Sequence, residues 1–338
     1  MRAKGNAAAP PPPVIDAMKI CCLWPPGACA KGHDRSAIHS QAAVSDIMKA
    51  SDVALAILTS VIWGLSFIAT RYGVDSFTPA QLTALRFAIA ALPALILPRP
   101  AVPWGLMLTA GAFWFLIQFL LLFWAFHAGM LPGLASVVQQ MSAPFTVLLA
   151  ALLLGETPTR RQVTGLVIAL SGLVLIGFSS GADLPLIALV VTLGAALSWS
   201  FGNILIKRMP KAEMVSLTAW MALVAPLPAL ALSHALGDPP LWTTLAEASW
   251  RGILSALYLG TLATIGGYAM WGHLLSRYPA AVVTPFALLV PCSGIIASVI
   301  VFDEAFPPLR CGGIALVMAG LAVIIWRART PPAEVPPA

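Results

Sequence analysis

The sequence predicts an all-α membrane protein of ten transmembrane helices, arranged as two inverted repeats of five helices. Composition, the length of the apolar runs and a similarity between the two halves of the chain all indicate this class. Hydrophobic residues make up 59% of the 338 positions and charged residues only 9%, whereas soluble domains carry about a quarter charged residues. One soluble core cannot hide so much apolar surface, but in a bilayer the outside of the protein is apolar as well.

Ten apolar runs follow residue 48, and each is about long enough to cross the roughly 30 Å hydrocarbon layer as a helix. The runs are continuous and do not alternate with polar residues, which excludes the strands of a membrane barrel. The gaps between them are too short for a soluble domain, so neighbouring helices should be antiparallel. The predicted spans are 53–71, 80–97, 105–127, 133–154, 162–178, 186–206, 215–235, 252–275, 280–302 and 310–326.

Lysines and arginines are concentrated in alternate gaps between these spans. If the first span begins in the cytoplasm, ten basic residues lie at cytoplasmic ends, namely Lys49, Arg99, Arg160, Arg161, Lys207, Arg208, Lys211, Arg277, Arg327 and Arg329. Three lie at the opposite ends, namely Arg71, Arg251 and Arg310. An excess of this kind marks the cytoplasmic side, so we expect both termini there. The net charge of +6 therefore indicates control of topology and not binding of nucleic acid.

Residues 1–47 differ from the rest of the chain. They combine a proline run at 10–13 with mixed charges and have no apolar core of signal-peptide type, which is typical of a disordered segment. The alternative is that the true start is Met48. The predicted organisation is an extension or mis-assigned start at 1–47, a first repeat at 48–179, a second repeat at 185–327 and a short cytoplasmic tail at 328–338.

The cysteines indicate neither a disulfide framework nor a metal site. Cys292 and Cys311 lie in or beside predicted helices, and the other three lie in the extension at Cys21, Cys22 and Cys29. The loose group of Cys22, Cys29 and His33 lacks the spacings of zinc sites. We therefore predict no metal and no other cofactor.

The second half of the chain repeats landmarks of the first half in the same order. The matched landmarks are Trp63 with Trp199, Arg71 with Lys207, Gly155-Glu156 with Asp303-Glu304, and the glycine pair Gly165 and Gly172 with the pair Gly313 and Gly320. Chance similarity between apolar segments is the alternative, and the shared order makes it the weaker account. Because five is odd, the second repeat enters the membrane upside down, a design that recurs in transporters. Glycines seven apart lie on one helix face and permit close helix packing.

Several of these motifs carry a family likeness over residues 51–326. They are Trp63-Gly64 with Ser66-Phe67, Leu85-Arg86-Phe87, Gly155-Glu156 and Asp303-Glu304. With them the chain resembles the drug/metabolite transporter superfamily, in its EamA branch. The extension is not typical of that family, and Asp303 replaces the glycine of the first half.

Within this branch, four further stretches resemble the bacterial exporters of O-acetylserine and cysteine. These stretches are Gly133-Leu134-Ala135-Ser136, Ser198-Trp199 with Gly202-Asn203-Ile204, Gly267-Tyr268 with Trp271-Gly272, and Leu288-Leu289-Val290-Pro291. The resemblance implies a bacterial inner-membrane exporter of small amino-acid-type metabolites that works by alternating access between the repeats.

Arg86 is the first candidate for a substrate contact, because it lies inside the second predicted span. A charge there is costly and usually faces a cavity or a partner, and a planar guanidinium pairs well with a carboxylate. The alternatives are a structural arginine that binds backbone carbonyls, or one that reaches the lipid headgroups.

Helix breaks form the second candidate. A proline cannot bond the carbonyl four residues earlier, so Pro144 frees the carbonyl of Gln140 and Pro291 frees that of Ala287. With the side chains of Gln139 and Gln140, these carbonyls could receive a substrate ammonium; the alternative is a kinked helix whose polar groups are satisfied by neighbours. Pro285 is the third proline predicted to line the cavity.

Polar and aromatic residues inside other spans complete the predicted site. They are Trp63, Trp199, Asn203 and Tyr268, with Gln118 as a further cavity residue. The two tryptophans lie mid-span, away from the interfaces that tryptophan favours, although each residue alone is more often packing than ligand. Glu156 and Asp303-Glu304 lie at membrane edges and are predicted to anchor loops.

Three other functions compete with the export of amino-acid metabolites. A permease of the same fold could carry another cargo, such as lipophilic drugs or purines. An intramembrane enzyme would need a nucleophile with its base or a set of metal ligands, and the spans offer no such group, so we predict no enzyme. A signalling protein would need a soluble effector domain. The predicted partners are a small-molecule substrate and the lipid bilayer, without nucleic acid, and a homodimer is left open.

Overall fold

The computed structural model describes residues 48–179 and 184–325, and the regular elements in these ranges are helices. The predicted extension at 1–47 and the predicted tail at 328–338 lie outside the described residues. So do three of the cysteines and the basic residues Arg327 and Arg329.

Ten apolar helices follow one another along the described chain. We label them α1 (Ala50–Val74), α2 (Pro79–Leu95), α3 (Trp104–His127), α4 (Pro132–Leu154), α5 (Arg160–Phe178), α6 (Leu186–Lys207), α7 (Met214–Ala235), α8 (Trp250–Arg277), α9 (Thr284–Phe302) and α10 (Pro308–Ile325). Nine of them, within the described ranges, are long and apolar enough to cross a membrane, and α2 is the shorter one. The prediction of an all-helical membrane protein is confirmed.

Helix α2 differs from its predicted span because of proline. Its α-helical part, Pro79–Ala91, begins with a capping box at Thr78 and passes into a 3-10 turn, Leu92–Leu95. Pro93 lies in that turn, where it removes a backbone donor and limits the helix. The helix therefore ends at Leu95, two residues before the predicted end at 97.

The connections between helices lie on two opposite sides of the bundle. On one side, which we call the Glu304 side, the hydroxyl of Thr78 donates to Asp238 Oδ2 at 2.7 Å and the N–H of Gly133 donates to Glu304 Oε2 at 2.8 Å. On the other, the Glu156 side, the ammonium of Lys207 donates to Glu156 Oε1 at 2.5 Å. The contacts at Gly133 and at Glu156 therefore mark opposite ends of α4.

Each half of the chain packs mainly against the other half. Helix α1 packs on α8 and α9, and α6 packs on α3 and α4 in the corresponding way. Helix α2 packs on α7, and α5 packs on α10. Exchanging the first five helices for the last five leaves this pattern of neighbours unchanged.

Helices α5 and α10 contact each other at the glycines that lie seven residues apart in the sequence. A Cβ atom added at Gly172 would lie 2.5 Å from the Gly313 carbonyl oxygen, and one added at Gly165 would lie 2.6 Å from that of Gly320. The contacts run in opposite chain directions, so the two helices are antiparallel. Backbone thus touches backbone, as expected for small residues at a membrane helix crossing.

Departures from α-helical geometry also occur in matched pairs. Helix α3 contains a π turn at Ala112–Ile117 and α8 contains one at Leu259–Gly266. Helix α4 contains a 3-10 turn at Gln139–Met141, and α9 begins with one at Thr284–Leu288, preceded by a single α turn, Ala280–Val283. The caps that follow α4 and α9, Gly155 and Asp303, are both left-handed, with φ of 68° and 50°.

Candidate functional site

A cluster of aromatic rings lies between the two halves, with Tyr268 of α8 at its centre. The ring of Tyr268 lies 5.7 Å from that of Trp63, 5.0 Å from Trp114 and 6.3 Å from Trp199, measured between centroids. Tyr268 is buried, whereas Trp63 and Trp199 are half-buried. Three residues predicted separately from the sequence therefore share one cluster.

The π turn of α8 holds Trp63 in place. A π turn leaves backbone carbonyls displaced from the regular helical pattern, and the indole Nε1 of Trp63 donates to the carbonyl of Ala263 at 2.9 Å. The ring of Trp271 lies 5.2 Å from that of Trp63. Trp63 therefore joins α1 to α8 and remains half-buried.

Trp114 is a central residue of the cluster and is not among the residues predicted for the site. Its ring lies 4.8 Å from that of Trp199, and a Cβ atom at Gly202 would lie 2.8 Å from it, so glycine makes room for the indole. Its buried Nε1 has no hydrogen-bond partner within the described residues, and neither has Gln118 Oε1 one turn further along α3. The mid-span position of Trp114, like that of Trp63, was the signal that could have found it.

Arg86 is buried beside the cluster. Its Nε donates to the hydroxyl of Thr264 at 3.1 Å, and its guanidinium carbon lies 4.0 Å from the ring centroid of Phe119. Its side chain is only 5% exposed, so it does not reach the lipid headgroups. No carboxylate among the described residues pairs with it. The guanidinium is thus held in place by one hydroxyl and a ring face, with donors to spare.

Aromatic contacts connect Arg86 to the central cluster. The Phe87 ring lies 4.7 Å from Phe115 and 5.1 Å from Phe119, and Phe115 lies 6.1 Å from Tyr268. Electrostatic interactions of a buried charge are stronger than those of a charge in water. The arginine and the aromatic residues therefore form one continuous region.

The two predicted helix breaks meet each other. Gln140 Nε2 donates to the carbonyl of Ala287 at 3.2 Å, which is the carbonyl that Pro291 frees. Gln140 and Ala287 occupy the same position in their helices, four residues before a buried proline at 144 and 291. The neighbouring Gln139 Oε1 is buried without a partner in the described part of the chain.

The remaining predicted residues lie further from this centre. Asn203 is half-buried and its Nδ2 donates to Thr146 Oγ1 at 3.3 Å, which joins α6 to α4. Pro285 is exposed near the start of α9, outside the packed centre of the bundle. The structure therefore groups Trp63, Trp199 and Tyr268, links Arg86 to them through phenylalanines, and leaves Pro285 apart.

A bundle of apolar helices with a polar and aromatic region between its halves is typical of membrane transporters. The model of the EamA-like transporter family matches residues 51–178 and 186–326. This chain belongs to that family, and it is a transporter and not an enzyme.

Relatives of known sequence support this assignment. The chain is 37% identical to a probable amino-acid metabolite efflux pump of Escherichia coli (strain K12), over 83% of this chain and 97% of the relative. It is 38% identical to a protein of the same description from Salmonella typhimurium, over 82% and 96%. A probable terminal-alkyne amino-acid exporter of Streptantibioticus cattleyicolor is 29% identical, over 79% and 91%. A solved crystal structure with 21% identity has a TM-score of 0.55, over 82% of this chain and 98% of that chain, which shows the fold alone.

Proposed function

We propose that this protein exports small amino-acid-type metabolites, such as cysteine or O-acetylserine, across the bacterial inner membrane. Ten helices cross the membrane as two inverted repeats of five, and the repeats expose a shared site to each side in turn. The buried guanidinium of Arg86, without a carboxylate partner among the described residues, is the observation that carries the substrate class.

The packing of the helices supports the inverted repeats, because the pattern of neighbours is the same when the first five helices are exchanged for the last five. Two prolines twelve residues apart, 132 and 144 in the first half and 279 and 291 in the second, mark equivalent positions. The matched π turns and 3-10 turns agree with this alignment, and so does the match of the family model to each half. Helix α2 is about 25 Å long at 1.5 Å per residue, which allows it to cross a locally thinned bilayer beside α7.

The distribution of basic residues supports a cytoplasmic Glu156 side. Eight of the ten basic residues predicted at cytoplasmic ends lie in the described ranges, from Lys49 to Arg277. The Glu304 side has three, and all of them are engaged within the fold. Arg71 pairs with Asp75 at 2.5 Å, Arg251 lies 5.5 Å from the ring centroids of Tyr72 and Trp250, and Arg310 is fully buried. Both termini are accordingly cytoplasmic, and the Glu304 side faces the periplasm.

The chemistry of the cluster fits a zwitterion. A guanidinium forms two parallel hydrogen bonds with a carboxylate, which Arg86 would offer once a substrate displaces its contact with Phe119. Ring faces of tryptophan and tyrosine attract ammonium groups, and the carbonyl of Ala287 is an acceptor for the same group. The substrate therefore binds with its carboxylate toward α2 and its amine toward the aromatic rings and the crossing of α4 and α9.

The names of the relatives favour amino-acid-type cargo over drugs or purines. The test is efflux from proteoliposomes loaded with labelled cysteine or O-acetylserine, with competition by analogues that lack either the carboxylate or the amine. Zwitterions should compete, and both kinds of analogue should compete poorly. Efficient competition by purines or lipophilic cations, and not by amino acids, would move the protein to the alternative cargo class.

Arg86→Lys separates substrate binding from helix bracing. Lysine keeps the charge but loses the fork that matches a carboxylate, so the variant should reach the membrane normally and export at least about tenfold more slowly, the effect of one lost charged hydrogen bond. Arg71→Lys, at an arginine 40% exposed, is the matched control and should export normally. Normal export by a well-expressed Arg86→Ala protein would remove Arg86 from the site.

A further inference from the structure

Glu304 connects the second half of the chain to the first. It follows the left-handed Asp303 at the end of α9 and is buried. Its carboxylate accepts the N–H of Gly133 at 2.8 Å and the N–H of Leu134 at 3.2 Å, and the hydroxyl of Ser298 also donates to it. A residue after α9 thus caps the first turn of α4.

Helix α4 depends on this cap because it has none of its own. The first N–H groups of a helix lack partners within the helix, and Leu131 at the N-cap position makes no side-chain bond to them in the described structure. Pro132 at the first helical position has no N–H to satisfy. The two donors that remain buried there, on Gly133 and Leu134, are the ones that Glu304 binds.

The start of α4, next to this contact, also packs closely on α9. Beyond the crossing at Gln140, α4 packs against α9 so closely that a Cβ atom at Gly294 would lie 2.6 Å from Ser136 Oγ. Val138 in this half of α4 is fully buried, whereas the equivalent residue near the start of α9, Pro285, is exposed. The first turns of α4 are therefore sealed against α9 next to Glu304, whereas the start of α9 is more exposed.

The counterpart of Glu304 is in a different environment. Glu156 follows the left-handed Gly155 at the end of α4, as Glu304 follows Asp303. It is 48% exposed and pairs with Lys207 at 2.5 Å. Equivalent carboxylates in the two halves are thus in different states in one conformation, Glu304 buried at a helix start and Glu156 partly solvated.

We propose that Glu304 is the latch of the transport cycle, the residue that holds the Glu304 side closed by capping α4 from the other repeat. That side opens only when Glu304 releases Gly133 and Leu134. When the opposite side closes, Glu156 takes the corresponding place at the backbone N–H groups of residues 280 and 281, which follow Pro279 as the two capped residues follow Pro132. This inference rests on the proposed alternating access, and it names Glu304 and Glu156 as the residues that hold one side or the other closed.

Thiol labelling tests the latch. Ser136→Cys, in a protein otherwise free of cysteine, places a reporter within the seal, where Ser136 is fully buried. A membrane-impermeant maleimide is added from the Glu304 side of oriented vesicles. Glu304→Gln replaces one acceptor oxygen by an amide NH₂ group, a donor that faces a backbone N–H and weakens the cap. The reporter thiol should therefore react about tenfold faster than in the parent, which is the size of effect expected from loss of a helix cap.

Two controls separate the latch from general loosening. Asp303→Asn removes the same charge one residue away, at an exposed position, and should leave labelling unchanged. Glu156→Gln should leave it unchanged or lower it. The proposal is overturned if a folded Glu304→Gln protein stays as protected as the parent, or if Glu156→Gln accelerates labelling equally.

A crosslink covers the case in which Glu304→Gln fails to fold. A Cβ atom at Gly133 would lie 3.1 Å from Ser298 Cβ, so a small outward shift of the helices brings the pair to the roughly 3.5–4.5 Å of a disulfide. Export by an oxidised Gly133→Cys and Ser298→Cys double variant is compared with export by the same variant kept reduced, because Ser298→Cys also removes a hydroxyl that donates to Glu304. Oxidation should stop the export that the reduced variant retains, whereas equal export by the crosslinked protein would contradict the latch. The labelling experiment needs no cargo, so failure to export cysteine would count against the proposed substrate and leave the latch result intact.

Discussion

Replacing Gly172 by alanine should destabilise the protein at the crossing of α5 and α10. The new Cβ atom would lie 2.5 Å from the Gly313 carbonyl oxygen, 2.7 Å from the Val317 nitrogen and 2.9 Å from Leu316 Cβ. Two of these atoms are backbone, so no side-chain rotation relieves the clash and the helices must separate. Overpacking of this kind costs about 1–3 kcal/mol.

Gly177 in the same helix is the matched control, because nothing lies within 4 Å of a Cβ atom added there. Alanine gains about 0.5–1 kcal/mol over glycine within a helix, so Gly177→Ala should be neutral or slightly stabilising. The helix-propensity gain of alanine over glycine applies at both Gly172 and Gly177, so it cancels when the two variants are compared. The free energy of unfolding should therefore differ by about 1–3 kcal/mol between the two variants.

Thermal or denaturant unfolding of the purified protein in lipid nanodiscs measures this difference. Gly172→Ala should melt below the parent, and Gly177→Ala at or above it. If both variants melt together, the close approach of α5 and α10 does not contribute to stability, and the steric reasoning is wrong.

Three further predictions concern the site, the topology and the extension. Gln140→Ala should lower export about fivefold at normal protein level, because it removes the bond to Ala287 at the crossing, a loss of about 1 kcal/mol; unchanged export in the efflux assay would show that this bond does not contribute to transport. A reporter enzyme active only in the periplasm should give signal when fused after residue 240 and none after 211, and a bright fusion after 211 would contradict the inverted repeats. Deletion of 1–47 should leave membrane insertion and export intact. Loss of protein from the membrane fraction would contradict the prediction that these residues are dispensable.

The sequence predicted the residues of the site better than their arrangement. Proline positions showed which carbonyls are freed, since a missing N–H is a local property of the chain. They did not show that Gln140 binds the carbonyl of Ala287, 147 residues away. Trp63, Trp199 and Tyr268 were identified as polar or aromatic residues inside spans, whereas Trp114 was missed although its position carries the same signal.

The sequence also did not indicate the partner of Glu304. Its place after α9 predicted a loop anchor at the membrane edge, and the structure shows the anchor as a cap on α4 of the other half. The equivalent Glu156 has the same local sequence signal but pairs with Lys207. Two carboxylates with the same motif therefore differ in burial and in partner, which the local sequence does not indicate.

The sequence by itself determined the membrane class, the positions of the helices and the glycines of the α5–α10 crossing, because hydrophobicity, proline and small residues act over a few turns of one helix. Only the tertiary structure decided which residues meet between the halves. Those contacts depend on helix crossings and on π turns that no residue pattern marked, and they join positions far apart in the chain, such as Glu304 and Gly133, 171 residues apart.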